Sequence, residues 1–306
     1  MKAIVCTQYG PPEVLMMKEI VKPQPKDNEV LIAVKAIAVN SGDVRVRALA
    51  VEGLLRIVMR IVLGFRKPRK PILGTTVSGV VEKVGKNVTT FLPGDEVCAS
   101  TGFSFGAYAE YVVIAENSTI IHKPHTANFE EAAAIMFGGM TALYFLHKAG
   151  INTKKAPKIL VYGASGSVGI AAVEIAKYYG AYVTAVCSEK GVDLVKKRGA
   201  DEIVFYTQHD ITQIQGQYDC VFDAVGKITE KQCKHLLKGN GVFCTVGGLE
   251  VAKETKEQLL FLKQLYEMSY IQANIDTIFH FDDIVEAHRY VDTGRKKGNV
   301  VVKIDM

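Results

Sequence analysis

The sequence predicts a two-domain α/β protein, one part β-rich and barrel-like, the other a parallel sheet layered with helices. Three observations predict it. The chain has 306 residues, and at about 150 residues per domain that is room for two. Residues 1 to about 120 read as short strands punctuated by Gly and Pro. From residue 129 onward strands and helices alternate, the pattern of βαβ units.

Taken in order, Met1–Cys6 reads as a first strand rather than the apolar region of a signal peptide. Glu29–Val39 is a long apolar strand, followed by strands at Val77–Gly85 and Gly94–Val97. Ala107–Val113 alternates with period two and is expected to be a strand throughout. Phe129–Lys148 has helical spacing. Strands are then expected at Lys158–Tyr162, Tyr182–Cys187, Glu202–Tyr206, Asp219–Ala224 and Gly241–Val246. Helices are expected at Ser167–Tyr179, Lys190–Arg198 and Thr229–Lys238. Asp282–Thr293 reads as a helix and Gly298–Ile304 as the last strand.

Composition excludes several classes. Hydrophobic residues make up 48% and charged residues 23%, a globular balance rather than a disordered or fibrous one. The net charge of +5 does not by itself point to nucleic acid. Apolar runs are expected to fall short of the roughly 18 residues that span a bilayer. The six cysteines form no CxxC pair, and several sit in strand-like runs where a reduced thiol is a small hydrophobe. A reducing, cytoplasmic setting is expected.

The motif that carries chemistry is Gly163-Ala164-Ser165-Gly166-Ser167-Val168-Gly169. It follows a strand directly and opens a helix. Such a turn lets backbone N–H groups approach a pyrophosphate where the helix dipole favours negative charge. Ala164, Ser165, Gly166, Ser167 and Val168 are the expected dinucleotide-binding residues, against the alternative of a turn that serves packing alone. An NAD site puts an acid at the end of the second strand, about 20 residues on. Here Ser188 stands nineteen residues past Gly169, with Lys190 after it. A hydroxyl and an ammonium suit a 2′-phosphate, so NADP(H) is expected; Glu189 between them need only point outward.

Arg56–Lys70 holds six cations and no acid, interleaved with Leu54, Leu55, Ile57, Val58, Ile61 and Val62. The plain expectation is an amphipathic helix and loop packed on one domain. A positive lip for anionic ligands and a membrane-surface contact are the alternatives.

Several segments together resemble the zinc-free, quinone-oxidoreductase-like branch of the medium-chain dehydrogenase/reductase superfamily. They include Ala38-Val39-Asn40-Ser41-Gly42-Asp43 with Arg47, Pro71-Ile72-Leu73-Gly74, Pro93-Gly94-Asp95-Glu96-Val97, Gly106-Ala107-Tyr108-Ala109-Glu110-Tyr111, Gly139-Met140-Thr141-Ala142, Asp223-Ala224-Val225-Gly226 and Glu286-Ala287-His288. The match runs in one order over almost the whole chain. It implies a GroES-like β-barrel substrate domain from residues 1–122 and 270–306, and a Rossmann domain, residues 123–269. It implies a nicotinamide-dependent enzyme that passes hydride to a quinone or an α,β-unsaturated carbonyl. An alcohol or aldehyde oxidoreductase, or a non-catalytic NADPH-binding module, is the alternative. The partner would be a small molecule, with neither nucleic acid nor a membrane span.

The resemblance also implies residue roles. Asn40 would lie beside the nicotinamide ribose and the substrate, its alternative being a turn residue. Thr141 would face the cofactor, its alternative being an ordinary helix residue. Tyr206 would lie near the 2′-phosphate, Ala224 and Val225 beside the adenosine and ribose, and Val246, Gly247 and Gly248 at the nicotinamide amide. Asn299 stands where the family has Lys, near the nicotinamide. His288 is expected to be structural. Zinc is not expected: Asn40-Ser41-Gly42-Asp43 and Gly74-Thr75-Thr76 occupy the catalytic ligand positions of the zinc branch, and among the positions of a structural zinc lobe only Cys98 is a cysteine. After Gly248 a stretch that supplies the family's sixth sheet strand is missing. A five-stranded sheet is therefore expected, with a monomer or a non-standard homodimer.

Overall fold

The computed structural model describes residues 1–50, 53–248 and 250–305. In chain order the elements are β1 (Lys2–Cys6), β2 (Leu15–Glu19), β3 (Glu29–Val39), α1 (Ser41–Ala48), α2 (Gly53–Leu63), β4 (Thr76–Val84), β5 (Glu96–Ser100), β6 (Tyr111–Ala115), β7 (Ile120–His122) and α3 (Phe129–Lys148). Then follow β8 (Lys158–Tyr162), α4 (Ser167–Tyr178), β9 (Tyr182–Cys187), α5 (Val192–Lys197), β10 (Glu202–Phe205), β11 (Tyr218–Asp223), α6 (Glu230–Cys233), β12 (Leu237–Thr245), α7 (Lys256–Glu267), β13 (Ile275–His280), α8 (Ile284–Asp292) and β14 (Asn299–Lys303). The chain packs into two units, Met1–Met136 with Ile275–Met306, and Phe137–Asn274. Leu249 and the side chains of Leu54 and Leu55, which the sequence assigns to a connection and an amphipathic helix, lie outside the described residues.

The first unit is built on β3. Its eleven residues read as one apolar run because they are paired on both sides. Glu29–Ala33 pairs with β6, Ala36–Val39 with β14, and most of the strand with β4. The sheet runs β13-β14-β3-β4-β5-β7, with β6 beside β3. Its core gathers Ile37, Leu73, Val77, Phe91, Ile120 and Val302 from both chain ends. Ala107–Tyr108 is not strand, contrary to expectation: β6 starts at Tyr111, and only Ala109 makes a bridge, to Ala3.

The second unit is a five-stranded parallel sheet in the order β10-β9-β8-β11-β12. The chain steps outward from β8 through β9 to β10, then crosses to β11 on the other side of β8. That reversal makes the β8/β11 crevice the topological switch point. The helix expected over Thr229–Lys238 is shorter. It is α helix over Glu230–Cys233 and a 3₁₀ turn over Lys234–Leu236, after which β12 begins at Leu237. Gly239 and Gly241 favour the extended chain over a further helical turn.

Helix α3 has twenty residues and passes as long and apolar enough to cross a bilayer by length and composition, but its uncharged run Ala132–His147 has sixteen residues and 72% of its apolar window is buried inside the fold. One further expectation is corrected. In α2 the apolar residues Ile57, Val58, Ile61 and Val62 are exposed rather than packed on the domain.

Buried polar groups stitch the first unit together. Arg47 of α1 is 2% exposed. Its Nη2 pairs with Asp292 at the end of α8 at 2.8 Å, and its Nε donates to the Gly10 carbonyl at 3.1 Å. His288 of α8 lies 3.5 Å from Arg47 Nη1 through Nδ1, and 3.0 Å from the Tyr108 hydroxyl through Nε2. Tyr108 is fully buried, and burial followed by the Asp43 carboxylate raises its pKa. Burial, assisted by the Arg47 charge, pushes the His288 pKa down to about 3.

His288 is thus neutral when folded, whereas an unfolded chain protonates it near pH 6.5. The unfolded state binds the extra proton, so stability falls as pH drops from about 6.5 toward 3. His288→Gln retains a hydrogen-bonding side chain that does not titrate. Its unfolding midpoint, followed against pH by circular dichroism, is expected to fall less steeply over this window than that of the unsubstituted chain. Equal slopes would remove His288 as the source.

Candidate functional site

In the second unit the expected cofactor residues gather at the carboxyl ends of the parallel strands. After β8 the chain turns at Gly163, whose φ of +76° only glycine adopts readily. The N–H groups of Gly163 and Ala164 both donate to the Val186 carbonyl of β9, at 2.9 and 3.0 Å. The turn is therefore tied to the neighbouring strand. A Cβ on Gly169 would stand 2.2 Å from the Gly163 carbonyl oxygen. The first turn of α4 thus lies directly against the loop, as the glycine spacing requires.

Helix α4 begins with Gly166 at its N-cap, which has no side chain to fold over the first turn. The backbone and the helix dipole are left to meet an anion. Gly138 of α3 is equally close: a Cβ there would lie 2.5 Å from the Ser167 carbonyl oxygen. Thr141, one helical turn later and buried, shares that face of α3. This arrangement fits a dinucleotide phosphate.

Around the loop stand the other strand ends. A Cβ on Gly163 would meet Val225 Cγ1 at 2.5 Å, and one on Gly191 would meet Ser165 at 2.6 Å. Ala224–Val225 and the turn that follows Ser188 and Lys190 therefore both border it. Ser188 is half-buried and Lys190 exposed. The exposed Tyr206 has its ring centroid 6.2 Å from that of Tyr162, and its N–H donates to the Cys187 carbonyl. The Glu189 carboxylate accepts from Thr207 Oγ1 at 2.6 Å and Gln208 Nε2 at 3.1 Å. Those bonds lower its pKa and commit it to the Thr207–Gln208 turn.

The sequence reading assigned no role to Asp223. This carboxylate at the end of β11 is fully buried. Oδ1 accepts from the Val225 and Gly226 N–H groups, and Oδ2 from the Ile228 N–H and from Thr245 Oγ1 at 2.9 Å. Thr245 Oγ1 in turn accepts from the Gly247 N–H at 2.9 Å. One carboxylate thereby holds both Ala224–Val225 and Val246–Gly247, with Gly248 next in chain. The available signal was an acid closing the otherwise apolar run Cys220–Asp223, where a buried charge must find donors.

The first unit holds the remaining two. Asn40 is the N-cap of α1 and is buried. Its Oδ1 accepts from the Asp43 N–H at 3.0 Å, and Asp43 Oδ2 accepts from the Asn40 N–H at 3.2 Å. Its Nδ2 donates to Thr75 Oγ1 at 3.0 Å. Thr75, also unassigned by the sequence, lies where β4 begins. In the β3–β14 pair Val39 stands opposite Val300. One step further in that antiparallel register sets Asn40 opposite Asn299. Two residues 259 positions apart in sequence are neighbours here.

Cys98 is buried in the β4–β5 ladder opposite Ser78. Among the described residues no group of three or more His, Cys, Asp or Glu could hold a metal ion.

Comparison with known proteins matches both halves of the chain. Residues 26–125 match the model of the alcohol dehydrogenase GroES-like domain, and residues 167–284 that of the zinc-binding dehydrogenases. The chain is 33% identical to a 2-methylene-furan-3-one reductase from Solanum lycopersicum, over 99% of this chain and 79% of that protein. It is 31% identical to a chloroplastic NADPH-dependent alkenal/one oxidoreductase from Arabidopsis thaliana, with the same coverage. Its fold matches the quinone oxidoreductase from Coxiella burnetii with a TM-score of 0.89 at 28% identity, covering 100% and 99% of the two chains. The chain belongs to the medium-chain dehydrogenase/reductase superfamily, in its quinone-oxidoreductase-like branch.

Proposed function

We propose that this oxidoreductase uses NADPH, works without zinc, and reduces a quinone or an α,β-unsaturated carbonyl compound. The carrying observation is the glycine-capped start of α4 at the β8/β11 switch point, bordered by Ser188 and Lys190 rather than by a ribose-directed acid. The names of the relatives in tomato and Arabidopsis, and of the Coxiella enzyme, support the substrate class.

In this reading Ala164–Val168 hold the pyrophosphate, and Thr141, Ala224, Val225 and Val246–Gly248 line the rest of the cofactor. Ser188, Lys190 and Tyr206 take the 2′-phosphate. Glu189 does not compete, because its carboxylate is engaged by Thr207 and Gln208. Bound NADPH supplies the hydride. The protein supplies position and charge. Reduction of an enone builds negative charge on its oxygen, which needs a donor. Asn40 carries two Nδ2–H groups and Thr75 takes one of them, so the other can serve that oxygen. The cap on α1 fixes the amide plane. Solvent completes the product by protonating the carbon.

Three measurements test this. Oxidation of NADPH with 9,10-phenanthrenequinone, 1,4-benzoquinone and a short enone is expected to proceed unchanged in a chelator. Chelator-sensitive alcohol oxidation would overturn the zinc-free reading, and tight NADPH binding with no turnover would favour a binding module. Lys190→Ala is expected to raise KM for NADPH by roughly tenfold while leaving NADH nearly unaffected, the loss of one charged hydrogen bond. An equal effect on both cofactors would remove the 2′-phosphate assignment. Asn40→Asp keeps the cap acceptor but loses the donor. Its kcat is expected to fall by about 100-fold, with an unfolding midpoint close to the parent; an unchanged kcat would exclude Asn40 from the chemistry.

A further inference from the structure

We propose that α2 and the loop after it form a peripheral docking surface for an anionic lipid bilayer. Ile57, Val58, Ile61 and Val62 share one face of α2 and are 55%, 46%, 55% and 59% exposed. A helix on a water-facing surface normally turns such a face inward. Among the described side chains of α2, Leu63 is the one that is buried, and the aliphatic face points outward. Phe65, next in chain after Gly64, is 66% exposed.

The cations lie beside this face. Arg56, Arg66, Lys67, Arg69 and Lys70 are exposed, and no acid occurs between Gly53 and Val81. Among the described residues none of the five forms a salt bridge. The loop that carries four of them has a defined shape. Gly64 has φ of +127°, and a Cβ there would stand 2.2 Å from the Lys67 carbonyl oxygen. The Arg69 N–H donates to the Leu63 carbonyl at 2.6 Å, and the Tyr9 hydroxyl to the Gly64 carbonyl at 2.9 Å. The loop therefore folds back on the helix end and lines an open groove of about 550 Å³. Lys70 Nζ donates to the Phe103 carbonyl at 3.3 Å, which brings a second ring, 66% exposed, alongside.

A polyanion such as nucleic acid would satisfy the cations and leave the aliphatic face in water. An apolar protein partner would do the reverse. An anionic bilayer surface meets both demands, with acyl chains at the interface for the aliphatic residues and headgroup phosphates for the cations. This is contact with one leaflet, not a span.

The test is co-sedimentation of the full chain with vesicles of phosphatidylcholine alone, or of phosphatidylcholine with phosphatidylserine. Binding is expected only to the anionic vesicles and is expected to weaken at high salt. The double variants Ile57→Ser/Ile61→Ser and Arg66→Gln/Arg69→Gln are each expected to lower the partition by roughly tenfold, with unchanged circular dichroism. Should the first pair misfold, the exposed arginine pair decides alone. Absence of binding, or equal binding to neutral and anionic vesicles, would overturn the proposal. So would self-association in velocity sedimentation that Ile57→Ser/Ile61→Ser abolishes, because the face would then belong to a second copy.

Discussion

The burial of the Asp223 carboxylate is the constraint on which the second unit's ligand-facing edge depends. A charged group at the end of a central strand is stable there only if its lone pairs are filled. The nearest donors are the N–H groups of the turn just beyond it, and accepting them curls Ala224–Ile228 back over the strand end. Thr245 fills the remaining position and carries the neighbouring turn with it. Two turns at the switch point are thus shaped by one electrostatic requirement.

The first unit solves a similar problem with a chain of groups. Arg47, His288, Tyr108 and Asp43 are all buried, and each finds a partner in another element. Arg47 is held by a carboxylate of α8 and a carbonyl near the N-terminus. Its charge and the burial together keep His288 neutral. The network ends at Asp43, which also closes the cap around Asn40. The Asn40 amide is therefore positioned by groups drawn from both ends of the chain.

These two arrangements contrast with α2, whose aliphatic face and Arg56 are turned to solvent. In this segment Ile57, Val58, Ile61 and Val62 stand together in solvent beside the exposed Arg56. That contrast, more than its basic composition, marks it as a surface that meets something else.

Much of the fold was legible because its signals are local. Strand and helix alternation after residue 129 and the Gly163–Gly169 spacing depend on neighbouring residues, and adjacent sterics settle them; the five strands were implied by the resemblance, through the short connection after Gly248. The resemblance, too, was carried by short motifs. Where local signals conflicted, as in Ala107–Val113 and Thr229–Lys238, pairing partners decided the ends of elements. What tertiary structure alone decided was who meets whom. Asn40 opposite Asn299, Thr75 on the Asn40 amide, Glu189 on Thr207 and four donors on Asp223 follow from strand register and turn packing. Exposure of the α2 face follows from what the remainder of the chain does not cover. A sequence states the chemistry each residue carries; proximity and solvent access belong to the folded chain, because they are set by residues far away in number.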